Sequence, residues 1–265
     1  MDESDILKHL LAAGRQAAQF LKENSGTALE VTKKTDNSPV TRIDRESQEI
    51  IVSYLGRQFP DIPVVAEELD PQLNRAAAKS AGSSLYFVVD PLDGTASYVH
   101  GIPFYCTSVA LCRGPDAVAG AIVDPNHGEE FTAIRGSGAF LNGRRIATSK
   151  QTEMQELCLN VNHIRFPQEI YERVNRNVLK KIKRFHKLGS LCLEVSYVAA
   201  GRLDGTINND LSMWDIAAAG LIVEEAGGIW SGLNGIKPAY PVFEKMDICA
   251  SNSNAVHRML VEALG

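Results

Sequence analysis

The sequence has no apolar run approaching the ~20 residues that a membrane-spanning helix needs, so no membrane partner is expected. Its N-terminus, Met1-Asp2-Glu3-Ser4-Asp5, lacks the basic-then-apolar pattern of a secretory leader, which points to an intracellular, cytoplasmic protein. Cysteine is scarce and scattered. Cys106, Cys112, Cys158, Cys192 and Cys249 are odd in number and show no Cys-x-x-Cys spacing, so neither a disulfide framework nor a zinc site is suggested. The histidines include no His-x-x-x-His pair. Any bound metal would therefore take hard oxygen ligands, favouring magnesium, manganese or calcium over zinc. There is no excess of positive charge either. With 27 Lys+Arg against 32 Asp+Glu the formal net charge is −5, which gives no reason to expect a nucleic-acid partner. One basic segment runs from Arg165 to Lys187, interrupted only by the acids Glu169 and Glu172. It reads as a solvated helix face, with steering of an anionic substrate as the weaker alternative. Repeats, low-complexity tracts and linkers are also missing, so residues 1–265 read as one domain with two halves, 1–150 and 151–265.

What is present is the balance of a globular protein, 45% hydrophobic and 22% charged over 265 residues. Apolar residues at helical spacing predict an amphipathic helix over 4–24 and a second over 41–59. The polar stretch 32–39 between them reads as a loop. Thr41 followed by Asp44 resembles a capping pair, which gives Asp44 a structural reading beside any chemical one. A short strand at 63–66 ends in Glu67-Glu68, residues 69–84 read as an exposed polar loop, and a strand follows at 85–89. Alternating apolar runs from 104 to 141, separated by Gly, Pro, Asp and Asn turns, predict an antiparallel meander. The second half alternates. Strands are expected at 157–161 and 203–207 and near 248–250, with helices over 167–181, 190–200, 212–226 and from about 254.

The strand at 85–89 delivers Asp90-Pro91-Leu92-Asp93-Gly94-Thr95 into a turn. Clustered carboxylates repel, and they end a buried strand only when something positive lies between them. The hexapeptide therefore reads as a divalent-metal site beside a phosphate cradle, against the ordinary strand-to-turn junction that Asp, Pro and Gly also make. Glu67, Asp90, Asp93 and Asp215 each border a strongly apolar element, where an unpaired charge is costly. Three or four such carboxylates can hold two or three magnesium ions with a substrate phosphate between them. Gly94 permits close backbone approach to a phosphate, and Thr95 offers a hydroxyl. For Asp215 the local sequence favours a helix cap, because Ser212 lies three residues ahead. The Asp-x-x-Asp-Gly-Thr spacing argues against a phospho-aspartate phosphatase, which uses Asp-x-Asp-x-Thr, and favours a metal-activated water.

Taken together, Glu67-Glu68, Asp90-Pro91-Leu92-Asp93-Gly94-Thr95 and Trp214-Asp215-Ile216-Ala217-Ala218-Ala219-Gly220 resemble the signatures of the inositol monophosphatase superfamily. Asp36-Asn37-Ser38-Pro39-Val40-Thr41, Asp44, residues 98–104 and Glu225-Ala226-Gly227-Gly228 fit as well. The resemblance implies a layered αβαβα fold, and lithium-sensitive, magnesium-dependent hydrolysis of phosphate monoesters by a homodimer. By position, Glu67, Asp90 and the Leu92 carbonyl would hold one metal, and Asp90, Asp93 and Asp215 another. Glu67 and Thr95, backed by Asp44, would activate water, while Asp93, Gly94 and Thr95 would contact the phosphate. Gly189 and Ser190 match a substrate-side loop. Inositol-selective members carry Glu where this chain has Asn208, and a neutral amide binds hydroxyls less strongly than a carboxylate. The expected substrate is thus inositol monophosphate or a similar sugar phosphate. A 3′(2′),5′-bisphosphate nucleotidase and a non-enzymatic regulatory member are the alternatives.

Overall fold

The helical periodicity of the N-terminal residues produces α1 (Glu3–Asn24) in the computed structural model, with Ile6, Leu10, Ala13, Ala17 and Leu21 forming one buried stripe. The structure describes residues 3–26, 31–33, 39–162, 166–241 and 243–264. The polar stretch expected as a loop is bordered by two short strands, β1 (Val31–Lys33) and β2 (Pro39–Thr41), which pair antiparallel. Asp36, Asn37 and Ser38 lie outside the described residues. Next come α2 (Arg42–Gln58), which buries Ile43, Ile51 and Leu55, and β3 (Val64–Ala66). Residues 69–84 are not a loop, because they carry α3 (Pro71–Ala81). Asp70 caps it by accepting from the N–H groups of Gln72 and Leu73, and Pro71 occupies the first turn. Its buried positions are Asn74, Ala78 and Ala81, which offer no apolar period to read.

The meander forms as expected. β4 (Leu85–Asp93), α4 (Thr95–Val99), β5 (Cys106–Arg113), β6 (Asp116–Asp124), β7 (Glu129–Ile134), β8 (Gly138–Leu141) and β9 (Arg144–Arg145) follow in turn. With β3 they make a seven-stranded sheet in chain order, parallel at β3–β4 and antiparallel elsewhere. The second half supplies β10 (Cys158–Val161) and α5 (Gln168–Arg173), which continues as a π-helical segment over Val174–Leu179. Then come β11 (Arg184–His186), α6 (Leu191–Ala199), β12 (Gly205–Leu211), α7 (Met213–Glu225), β13 (Ile229–Gly232), β14 (Met246–Ser251) and α8 (Asn254–Leu264). The strand expected at 203–207 begins at Gly205 and runs on to Leu211, and β13 has no counterpart in the sequence expectation. These strands form a mixed sheet in the order β11-β10-β12-β14-β13.

Strand alternation sorts the core into layers. On one side of β4, Phe87 and Val89 pack with Ile6, Leu10, Ile51 and Leu55 of α1 and α2. On its other side, Tyr86 and Val88 share a cluster with Leu193 and Val195 of α6 and with Leu221 and Ile222 of α7. The second sheet closes over those two helices through Ile248 and Ala250, and its outer face packs Ile207 and Cys249 against Val174, Val256 and Leu260. The order is helix, sheet, helix, sheet, helix, as the resemblance implies. Because α7 lies between two sheets it is apolar on nearly all sides. It also lies close, since a Cβ at Gly120 of β6 would stand 3.0 Å from Ala218 Cα.

Candidate active site

Parallel pairing of β3 with β4 sets Ala66 opposite Val89, so Glu67, just past the end of β3, follows Ala66 as Asp90, still within β4, follows Val89. The Glu67 N–H donates to the Val89 carbonyl at 3.2 Å. Asn74 of α3 fixes the end of β3, donating to the Ala66 carbonyl at 2.8 Å and accepting from its N–H at 2.9 Å. Beyond Asp90 the register with β5 breaks and resumes only at Asp93, opposite Cys106. Pro91 has no N–H to give a ladder, and bulges are where strands tolerate it. The break turns two carbonyls out of the sheet. Pro91 O accepts from Ser47 Oγ at 2.7 Å, and Leu92 O lies 3.2 Å from Thr95 Oγ1. The Asp90 carboxylate, 1% exposed, accepts from the Leu92 N–H at 3.0 Å.

Asp215 stands in the first turn of α7, where its Oδ2 accepts from the Ser212 N–H at 2.7 Å. The capping role read from the sequence is therefore real. It does not exclude a second role, because the same turn faces the acids of β4. Burial drives the Asp90 carboxyl well above its ordinary range, and the charges of Glu67, Asp93 and Asp215 push it further. Asp215 is raised to about 6, first by burial and then by Asp93, with the Ser212 N–H and Lys245 working against the rise. Asp93 is also raised by burial, in spite of hydrogen bonds to its Oδ2 from Ser190 Oγ and the Cys192 N–H, both at 2.6 Å. Three buried acids with their ionisation suppressed, beside the charge of Glu67, make an electrostatic environment that would favour cations. Among the described residues no three of these carboxylates have ligand atoms all within 4.8 Å of one another.

Beside them, Thr95 opens α4 behind Gly94, whose φ of 97° belongs to the left-handed region. A Cβ at Gly94 would meet the Phe104 carbonyl at 2.9 Å. Thr95 Oγ1 lies 3.0 Å from Asp44 Oδ1, and Asp44 is buried in the first turn of α2. Asp44 is thus joined to the site and not only to its own helix. Ser190 caps α6 and donates its hydroxyl to Asp93, so it orients that carboxylate. Gly189 is exposed, with its N–H held by Glu194 Oε1 at 2.8 Å. Asn208 is 2% exposed, and its amide nitrogen donates to Glu194 Oε2 at 3.0 Å and to Thr206 Oγ1 at 2.6 Å.

Glu194 escaped the sequence reading. It is buried in α6, raised to about 7 chiefly by burial, and ties the Gly189 turn to β12. The signal was available, because a Glu within Leu191-Cys192-Leu193-Glu194-Val195 is a charge in an apolar run. Ser47, Gln48 and Asn74 carried no such signal. Gln48 Oε1 accepts from the Glu68 N–H at 2.8 Å, a contact set by the fold alone.

The model for the inositol monophosphatase family matches residues 2–265. The chain belongs to that family. It is 32% identical over 274 residues to an inositol-1-monophosphatase of Mesorhizobium japonicum, covering 100% of this chain and 97% of the relative. It is also 31% identical over 262 residues to the Nus factor SuhB of Escherichia coli, covering 96% and 94% of the two chains. Among solved structures, the extragenic suppressor protein SuhB from Bartonella henselae superposes with a TM-score of 0.88 at 33% identity, covering 98% of both chains. No helix among the described residues is long and apolar enough to cross a membrane.

Proposed function

We propose that the chain is a magnesium-dependent, lithium-sensitive phosphomonoesterase acting on inositol monophosphate or a similar sugar phosphate. The observation that carries this reading is the convergence of Glu67 after β3, Asp90 and Asp93 on either side of the β4 bulge, and Asp215 in the first turn of α7, with Asp90 raised by burial and then by the other three. Hard oxygen donors fit magnesium. Glu67, Asp90, Asp93, Asp215 and the Leu92 carbonyl would hold two or three ions, which when bound supply an acidified water and neutralise phosphate charge. The protein's own groups do the rest. Asp44 accepts from Thr95 Oγ1 and fixes the lone pairs of that hydroxyl. Thr95 would then orient the attacking water by accepting its hydrogen bond, and the Glu67 carboxylate would take its proton. Gly94 leaves its backbone uncovered for close approach of the phosphate, and Ser190 with the Cys192 N–H holds Asp93 in one rotamer.

The relative named as a Nus factor supports a second reading, a regulatory member whose activity is incidental. Retention of every acid in the cleft favours catalysis. A panel of inositol 1-phosphate, 3′-phosphoadenosine 5′-phosphate, fructose 1,6-bisphosphate and NADP, with magnesium and with or without lithium, separates these readings. Turnover of inositol 1-phosphate that lithium suppresses is expected, preference for the bisphosphate nucleotide would select the nucleotidase, and no turnover would favour the regulatory reading. Asp90→Asn is expected to lose activity by at least about 100-fold, the scale of removing a positioned catalytic group. Turnover like that of the unaltered protein in a folded Asp90→Asn variant would overturn the metal assignment.

A further inference from the structure

The cysteines show no metal-ligand spacing along the sequence, yet β5 and α6 bring two of them to Asp93. One carboxylate oxygen of Asp93 and the Sγ atoms of Cys106 and Cys192 all lie within 4.8 Å of one another. Cys106 Sγ is 3.9 Å from Asp93 Oδ2. A tetrahedral zinc ion, with bonds of about 2.3 Å to sulfur and about 2.0 Å to oxygen, sets its ligand atoms roughly 3.5–3.8 Å apart. Small side-chain rotations therefore close this set. A fourth donor is adjacent, since Ser190 Oγ lies 3.6 Å from Cys106 Sγ and 2.6 Å from Asp93 Oδ2. The carbonyl of Asp215 lies 3.1 Å from Cys192 Sγ, on the same side as the acid cleft. Both thiols are buried, whereas Asp93 is half-buried. Among the described residues this is the one group of three or more His, Cys, Asp or Glu drawn so close.

Thiols are soft donors and discriminate against magnesium, which prefers oxygen. We propose that Asp93, Cys106 and Cys192 form a second metal site, selective for a thiophilic divalent cation such as zinc. Uptake of the cation displaces two thiol protons to solvent and draws Asp93 away from the oxygen-ligand site. The site therefore makes the protein sensitive to zinc in competition with magnesium. That inhibitory consequence rests on the phosphatase reading, but binding itself does not.

Cadmium, which gives an ultraviolet thiolate charge-transfer band, is the probe. The full-length protein titrated with cadmium is expected to develop the band to saturation at one ion per chain. Cys106→Ser and Cys192→Ala are each expected to abolish it, and Cys112→Ser to leave it intact. A band that survives in either site variant, or its absence from the unaltered protein, overturns the proposal. Crystals of the unaltered protein soaked in cadmium decide the matter even if a variant fails to fold. An anomalous peak bonded to both sulfur atoms supports the site, and peaks confined to Glu67, Asp90 and Asp215 refute it. In a magnesium-dependent assay, Cys192→Ala should need at least about tenfold more zinc than the unaltered protein for half-inhibition, and equal sensitivity would refute the competition. If no phosphomonoester is hydrolysed while the cadmium band behaves as expected, the phosphatase reading falls and this site stands.

Discussion

At the scale of single residues, the Thr95–Asp44 pair is the sharpest test of chemistry against structure. Thr95→Val removes the hydroxyl from its 3.0 Å contact with Asp44 while keeping the branched shape. Activity is expected to fall about 100-fold or more with little change in magnesium requirement, because the hydroxyl acts on the water and not on the ions. Steady-state rates over a magnesium titration check this, and a shifted magnesium midpoint with an unchanged maximal rate would assign Thr95 to the metals. Side chains at the strand ends could be read from the sequence because a carboxylate beside an apolar run is costly unless it has a purpose. Asn208 shows where that kind of reading stops. Its neutral amide was visible, but its engagement with Glu194 and Thr206 depends on α6 and β12 meeting.

Among the elements, α3 and the end of β3 form the weakest-signalled support of the site. Asn74→Ala removes both hydrogen bonds to Ala66 and leaves a buried N–H and carbonyl unpaired on an edge strand. The cost is expected to be about 2–3 kcal/mol, read from urea unfolding, together with a raised magnesium requirement as Glu67 loosens. Stability like that of the unaltered protein would mean that water replaces the amide. The meander and α7 were legible from alternation and from unbroken apolarity, the two patterns that burial imposes most strongly. The helix at 71–81 was not, since its inward face is Asn74, Ala78 and Ala81. The basic helix proved partly paired, with Arg173 bonded to Glu169 at 2.6 Å and to the Leu264 carbonyl at 2.9 Å.

For the molecule as a whole, the acids of the cleft make stability depend on pH in an unusual direction. Asp90, Asp93, Asp215 and Glu194 all have folded values above the ordinary carboxylate range of about 4, with Asp215 near 6 and Glu194 near 7. A group that holds its proton more tightly when folded stabilises the fold below its unfolded value and stops doing so as pH rises through the folded one. Metal-free protein is therefore expected to lose stability between about pH 4 and 7. His257 acts the other way. Buried between Ser231 and Ser251, its pKa is lowered, so it destabilises the fold as pH falls below about 6.5. Four groups oppose one, so the acids should set the slope. Thermal melts across this range, with EDTA and with magnesium, test the balance. Magnesium should restore stability at pH 7 and do little at pH 4, and a flat profile without metal would refute the electrostatic account.

One further consequence lies in the capped first turn of α7. Trp214 precedes Asp215 there and is only half-buried, while the chain's other tryptophan, Trp230, is 2% exposed in the core. An indole beside a carboxylate whose charge is neutralised by an ion experiences a changed local field, and Trp230 supplies a nearly constant background. Intrinsic fluorescence should thus follow ion occupancy with no substrate present, and Trp214→Phe should remove the response while leaving the emission of Trp230. The turn that anchors the central helix would then serve as an optical gauge of the site beside it.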